Sequence, residues 1–398
     1  MRGIVKGIGA AIIGSLLASC AAVTDMPPGA ASSNAVRMSM PPASVTPADQ
    51  NVLFWSDAER QDRFPGMERW FPGHEVEAAP SPRPLPPGDA LPAELQADLR
   101  AFMAETNAAG VMILQDGKVR FEDYTPGFGP EQRWTSFSVA KSFTSTLLGA
   151  AIRDDSITSL DDSVAIYIPE MRGTPYEDVT VRQLATMTSG IRWNEDYTDP
   201  NSDVARMGTY PAAPGEDQIV NQLRTLPREA PAGEKWVYKT GETNLLGVLV
   251  ERATGTSLAE YAKDNIVDPA GFAGDMFWMV EQEGRNIGGC CLSLRLADYA
   301  RFGQFALEGG GDQVPEGWFA AATAPQVRFS DDGAGYGYQW WTYPESSWGA
   351  RGIFGQFITV LPEQDIVIAV VSNWEGATDS TARKALQDLA LRIGATAP

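Results

Sequence analysis

Apolar and polar positions along the chain sort into helical and strand periods at its two ends, with a long helical stretch between them. In "PAELQADLRAFMAET", Leu95, Leu99, Phe102 and Met103 recur at helical spacing and predict an amphipathic helix. Two apolar runs follow in "GVMILQDGKVRFEDY", joined through Asp116-Gly117, a pair suited to a two-residue hairpin turn. Near the other end, "GYGYQWWTY", "FGQFITVLP" and "DIVIAVVSNW" predict three more strands, and residues 378–393 predict a closing helix. The middle, about 145–285, reads as mostly helical with loops, as in "TVRQLATMTSG" and "TNLLGVLVERATG". Both ends therefore build one antiparallel sheet flanked by helices, with a mostly helical subdomain inserted, which is an α/β (α+β) fold class. No repeat of 20 to 50 residues is visible.

The first ninety residues follow other rules. Arg2 and Lys6 precede "GIGAAIIGSLLAS", an apolar run too short to span a bilayer, so residues 1–20 read as an export signal. Leu17-Ala18-Ser19-Cys20 is similar to a bacterial lipobox, in which Cys20 carries the lipid; an ordinary signal peptide with a chance cysteine is the alternative. Lipidation would tether the protein to a membrane on the periplasmic side. Ala21 after the cysteine points to the outer membrane. Residues 21–50, rich in Ala, Pro, Ser and Met, read as a flexible tether. Residues 51–90 form an extension with aromatics at helical spacing, expected to pack on the core. Its Pro-rich "APSPRPLPPGDALP" leads into the main domain, residues 91–398.

Composition narrows the chemistry. The 398 residues hold 31 basic and 51 acidic side chains, a formal charge of −20, which repels phosphate backbones and argues against a nucleic-acid partner. No Gly-rich phosphate loop, HExxH or CxxC pattern occurs, so neither a metal nor a cofactor is expected. His74 is the single histidine, which leaves a Ser-His-Asp triad or a histidine-ligated zinc poorly supplied. It reads as structural. Cys290 and Cys291 are neighbours, whose ring would be strained if oxidised, so they read as small packing residues rather than a staple. Nothing in the sequence indicates an oligomeric state.

A base other than histidine must then be found. In "SFSVAKSFTS", Ser138 and Lys141 stand three apart, which puts them on one face of a helix. Phe137, Val139, Ala140 and Phe143 would surround the amine with apolar atoms, and desolvation would lower its pKa into the range of a usable base. Alone, the pair also fits an ordinary helix surface. "PAGEKWVYKTGETNLLG" places Tyr238 after a turn and a short strand, before a helix beginning near Thr243. Beside an ammonium, that tyrosine would lose its proton more easily and could pass protons; a half-buried structural tyrosine is the alternative. "WGARGIFGQF" is a Gly-rich entrance to a strand, whose N–H groups suit an oxyanion hole or, more plainly, a bulged edge strand.

The three elements in this order resemble the serine β-lactamase and penicillin-binding protein superfamily, class C side, over roughly residues 90–395. "FSVAKSFTSTLLGAAI", "TSGIRWNEDY" and "GIFGQF" look most like the 6-aminohexanoate-dimer (nylon oligomer) hydrolases and related esterases. The resemblance implies a β-lactamase/transpeptidase-like fold and a serine hydrolase that forms an acyl-enzyme. It implies Ser138 as nucleophile, Lys141 as its base and Tyr238 as proton relay, with the N–H groups of Ser138 and Ile353 as oxyanion hole. Trp193, Asn194, Tyr197, Thr240 and Gly352 become candidate substrate-binding residues. The chain departs from class C at Thr240, where those enzymes read Asn, and in having no lysine over 340–365. A pocket without a fixed cation suits a small neutral ester or linear amide and should handle β-lactams feebly. A β-lactamase or D-amino-acid peptidase acting on peptidoglycan, and a catalytically silent binding protein, are the competing expectations.

Overall fold

A computed structural model of the chain describes residues 35–397, so the segment read as an export signal, Cys20 and the expected tether up to residue 34 lie outside the described residues. The end of the expected tether is a strand: β1 (Val36–Ser39) pairs with β2 (Gly73–Val76), which corrects the reading of residues 21–50 as flexible throughout. Helix α1 (Ala93–Glu105) follows, with Leu95, Leu99, Phe102 and Met103 buried as its spacing predicted. The hairpin β3 (Ala108–Gln115) and β4 (Lys118–Tyr124) turns at Asp116 and Gly117, with φ of 51° and 68°. Positive φ at both positions is what a two-residue turn needs to match strand twist. Beyond come β5 (Arg133–Thr135), α2 (Ala140–Arg153), short helices and α3 (Thr240–Thr254).

The later half adds β6 (Met276–Met279), β7 (Leu292–Arg295), α4 (Leu296–Leu307), β8 (Val327–Arg328), β9 (Gly335–Tyr336) and β10 (Trp341–Thr342). It ends with β11 (Trp348–Gly352), β12 (Gln356–Leu361), β13 (Ile366–Ser372) and α5 (Ser380–Gly394). "GYGYQWWTY" is thus two short strands and not one, broken where Gln339 takes a φ of 63°.

The large sheet runs β4-β3-β13-β12-β11-β10-β9-β8, every neighbour antiparallel. β3 and β13 are buried along their whole length because helices cover both faces, which is why they read as continuous apolar runs. One face meets α1 and α5 in a cluster that holds Leu99, Ile368, Leu386 and Ile393; the other meets α4 and the helical region.

One sheet was expected, and the described residues form two. The second runs β1-β2-β6-β7-β5, and its β6 lies inside the stretch read as helical. It draws strands of three or four residues from distant parts of the chain. His74 sits on β2 with Nδ1 3.0 Å from Asn286 Oδ1, a structural contact. Cys290 and Cys291 meet only each other and tie no distant segments together, in keeping with their reading as packing residues rather than a staple.

The 51–90 extension places Trp55, Phe64, Met67 and Phe71 in the main core cluster. Phe64 is fully buried, and its ring meets Trp134 at 5.8 Å, Phe137 at 5.1 Å and Phe354 at 5.7 Å between centroids. Arg60 lies over the Phe354 ring at 4.7 Å and donates to Asn373 Oδ1 at 2.8 Å. Phe137 and Phe354 flank the two backbone turns of the site described next, so the extension buttresses it from behind. Phe64→Ala is expected to destabilise the protein by about 3–5 kcal/mol, as removal of a fully buried phenyl ring does. Denaturant unfolding at constant m-value measures this, and a shift under ~1 kcal/mol would mean the extension is only loosely attached.

Candidate active site

Strand β5 delivers the chain into a tight turn. Ser136 N–H donates to Leu292 O at 2.7 Å, and its hydroxyl accepts from Leu292 N–H at 2.8 Å, so the small sheet clamps the approach. Phe137 then takes a φ of 43°, a left-handed value that a bulky side chain adopts only where packing enforces it. The ring contacts just described supply that packing. Ser138 lies in this 3-10 turn, two residues before α2 begins and not on the helix itself, which corrects the helical placement of the pair. It is the only residue from Trp134 to Ala151 that is not buried. A lone half-exposed hydroxyl in a buried run is poised to meet a ligand.

Lys141 follows inside α2, and only 1% of it is exposed. Its Nζ stands 3.2 Å from Ser138 Oγ, 3.0 Å from Thr240 Oγ1 and 2.8 Å from Gly289 O. The Tyr238 ring centroid lies 5.3 Å from the same nitrogen. The expected all-apolar shell is instead a small cage of oxygens within an apolar surround. Burial still dominates and pulls the pKa of Lys141 down to about 7, with the Glu195 carboxylate pulling back up.

Tyr238 precedes α3, which begins at Thr240 and not near Thr243, and no strand forms ahead of it. Its acidity runs opposite to expectation. Burial first and then Glu195 push the phenol well above its ordinary pKa, while Ser138 and the Arg351 guanidinium pull it down. The ring is half-buried, so water at its outer edge softens the rise. Tyr238 is thus a protonated phenol facing Ser138 and not a phenolate.

The third side is β11 and the turn after it. A Cβ at Gly352 would collide with Ser136 O and press on Phe137 Cβ at 3.1 Å, so this strand lies against the Ser138 turn only because residue 352 has no side chain. Phe354 (φ 59°) and Gly355 (φ 91°) turn the chain immediately beyond Ile353. No described residue accepts a turn or loop hydrogen bond from the N–H of Ser138 or Ile353.

The other candidate residues divide. Trp193, only 7% exposed, packs against Gly241 at the start of α3. Asn194 is exposed and bonded within its own loop, donating from its N–H to Asp203 Oδ2 at 2.8 Å and accepting from Asp196 N–H at 3.0 Å. Tyr197 donates its hydroxyl to Glu195 Oε1 at 2.8 Å. Thr240 is engaged on both sides: its hydroxyl donates to Glu195 and accepts from Lys141.

Sequence reasoning missed two residues. Glu195 receives the Trp193 indole N–H, the Tyr197 hydroxyl, and both the N–H (2.9 Å) and the hydroxyl of Thr240. Its signal was the alternation Trp193-Glu195-Tyr197, which sets the three side chains on one side of an extended segment. Arg351 is the second, and it corrects the picture of a site without a fixed cation. Its guanidinium lies 4.5 Å from the Trp341 ring and 4.4 Å from the Tyr343 ring, and its Nε donates to Tyr343 OH at 2.7 Å. Trp341 in turn stacks on Tyr238 at 5.6 Å.

Known proteins share this arrangement of chain and fold. Residues 95–392 match the family model Beta-lactamase. The 6-aminohexanoate-dimer hydrolase of Paenarthrobacter ureafaciens is 30% identical over 306 residues, covering 72% of this chain and 77% of that protein. A lovastatin esterase from Penicillium rubens is 25% identical over 191 residues, 44% of this chain and 46% of its own. Among solved structures, a candidate 6-aminohexanoate-dimer hydrolase from Bacillus anthracis superposes with a TM-score of 0.74 at 20% identity, covering 85% of this chain and 94% of that one. With the match running from α1 into α5, the chain belongs to the β-lactamase family and is a hydrolase of that fold.

Proposed function

We propose that the protein is a serine hydrolase that cleaves small ester or linear amide bonds through an acyl-enzyme on Ser138. One observation carries this reading: a dry Lys141 amine, with its pKa brought down to about 7, stands 3.2 Å from the one half-exposed hydroxyl of its segment. The Ser138 O–H bond breaks as Oγ attacks the carbonyl carbon, and the proton goes to Lys141. The carbonyl oxygen gathers negative charge against the N–H groups of Ser138 and Ile353, worth about 2.7–4 kcal/mol per donor when such a hole is formed. The protonated Tyr238 gives its hydrogen to the departing alkoxide or amine and is recharged from the Lys141 ammonium. Water then attacks the acyl-enzyme, losing its proton along the same path, and Ser138 is restored.

The 30% identical hydrolase, matched over 72% of this chain, and the esterase relative support the ester and linear-amide reading. Thr240, held between Lys141 and Glu195, also has no carboxamide to offer an acylamino side chain. Arg351 favours a second reading, in which the substrate carries a carboxylate as β-lactams and peptidoglycan peptides do, because it sets a cation one stacked ring away from Tyr238. The lipobox-like Leu17–Cys20 supports a lipid-anchored location on the periplasmic side.

A panel of neutral esters, carboxylate-bearing esters, linear amides and nitrocefin separates these readings. The expected result is ester or amide kcat/KM at least about 100-fold above that of nitrocefin, a gap of ~2.7 kcal/mol in transition-state stabilisation. Nitrocefin as the best substrate would replace the esterase reading with the β-lactamase one.

A further inference from the structure

Glu195 takes part in none of the bond changes above, yet four donors converge on its carboxylate. Two of them belong to Thr240. A hydroxyl has one hydrogen, and Thr240 gives its own to Glu195, so only lone pairs remain to face Lys141 Nζ at 3.0 Å. The amine must therefore point a hydrogen at Thr240. A second hydrogen goes to Gly289 O at 2.8 Å. In a neutral amine both hydrogens are then committed, and the lone pair is left for the Ser138 hydroxyl at 3.2 Å. Were the Thr240 hydroxyl free to rotate, it could donate into that lone pair and quench the base.

We propose that Glu195 is a positioning residue which locks the Thr240 hydroxyl as an acceptor and so keeps the Lys141 lone pair directed at Ser138. The inference rests on Lys141 acting as base in the proposed function. Glu195 is also the one charge that acts on the amine, raising its pKa against the effect of burial. The other groups near the amine do not duplicate it. Tyr238 is a protonated phenol, Arg351 acts on Tyr238, and Lys239 and Glu242 pair with each other at 3.5 Å at the start of α3. A plainer role exists, in which Glu195 only pins its loop to the first turn of α3. That role alters stability and leaves the titration of Lys141 untouched.

The test is the pH dependence of Ser138 labelling by a fluorophosphonate, measured for the full chain, Glu195→Gln, Thr240→Val and Thr240→Ser. Glu195→Gln is expected to lower the plateau labelling rate on the order of tenfold, the loss typical of a mis-oriented catalytic group. Its acid limb should move to lower pH, because removing the carboxylate removes what raises the pKa of Lys141. Thr240→Val should lower the plateau with Glu195 still present, and Thr240→Ser should restore it. A folded Glu195→Gln protein with unchanged plateau and limb overturns the proposal, as does full labelling of Thr240→Val if the glutamine variant does not fold. An unlabelled wild-type protein, in contrast, removes the hydrolase reading itself.

Discussion

Ser138→Ala is expected to reduce turnover of a p-nitrophenyl ester by about four to six orders of magnitude, because catalytic units of this kind fail almost completely when the nucleophile is lost. The fold should survive. Ser138 is half-exposed, lies in a turn set by Phe137 and the Phe64 ring, and loses only an oxygen on substitution. Its hydroxyl faces Lys141 Nζ at 3.2 Å, and after its loss the amine keeps Thr240 and Gly289 as partners. Thermal unfolding of the variant should lie within ~1 kcal/mol of wild type, so lost activity cannot be attributed to lost structure. Full turnover by Ser138→Ala would place the nucleophile elsewhere.

The second large effect concerns Lys141. Lys141→Ala is expected to lower kcat/KM by a factor on the order of 10³ or more, the range spanned by general-base catalysis together with orientation. In the intact protein the sign of the pH dependence follows from the direction of the shift. Burial lowers the pKa of Lys141 to about 7, so the amine is charged and useless as a base below that pH and neutral above it. Activity on a non-titrating ester should therefore rise with pH through about 7 and level off on the alkaline side. Tyr238 adds no descending limb in the neutral range, since its phenol is pushed upward and stays protonated. A profile flat from pH 5 to 9 would mean that the lysine carries its proton throughout or plays no part.

Much of this site was legible before any coordinates. The i, i+3 spacing of Ser138 and Lys141 brings their side chains together whether the first residue sits in a helix or in the 3-10 turn that precedes it, so the error over the helix start did no harm. The α1 stripe and the Asp116-Gly117 turn were equally plain, because each is set by residues close in sequence. The small sheet was not legible. Strands of three or four residues are too short to display alternation, and their partners can lie far away in sequence, as Gly73 pairs with Met279. Glu195 was hidden for a different reason. One carboxylate among 51 acidic residues is marked only by its place between Trp193 and Tyr197, and the partner that gives it a role, Thr240, lies 45 residues further along the chain. Arg351 was hidden because its guanidinium is brought to the site only by lying across Trp341 and Tyr343, contacts that no local spacing reveals.

The direction of the Tyr238 shift could not be read from sequence either. An ammonium neighbour predicts an easier proton loss, but Lys141 near its pKa is only partly charged, and burial of the phenol outweighs it. The same desolvation that strips the proton from the lysine keeps it on the tyrosine. Two groups in one cage thereby take opposite roles at neutral pH.

The account depends on a covalent bond forming at one oxygen. Mass spectrometry of protein quenched during turnover of a slow ester, followed by peptide mapping, tests this directly: one acyl group per chain on Ser138, absent from Lys141→Ala, is the predicted result. An acyl group on any other residue, or Lys141→Ala acylated as fast as wild type, would contradict it.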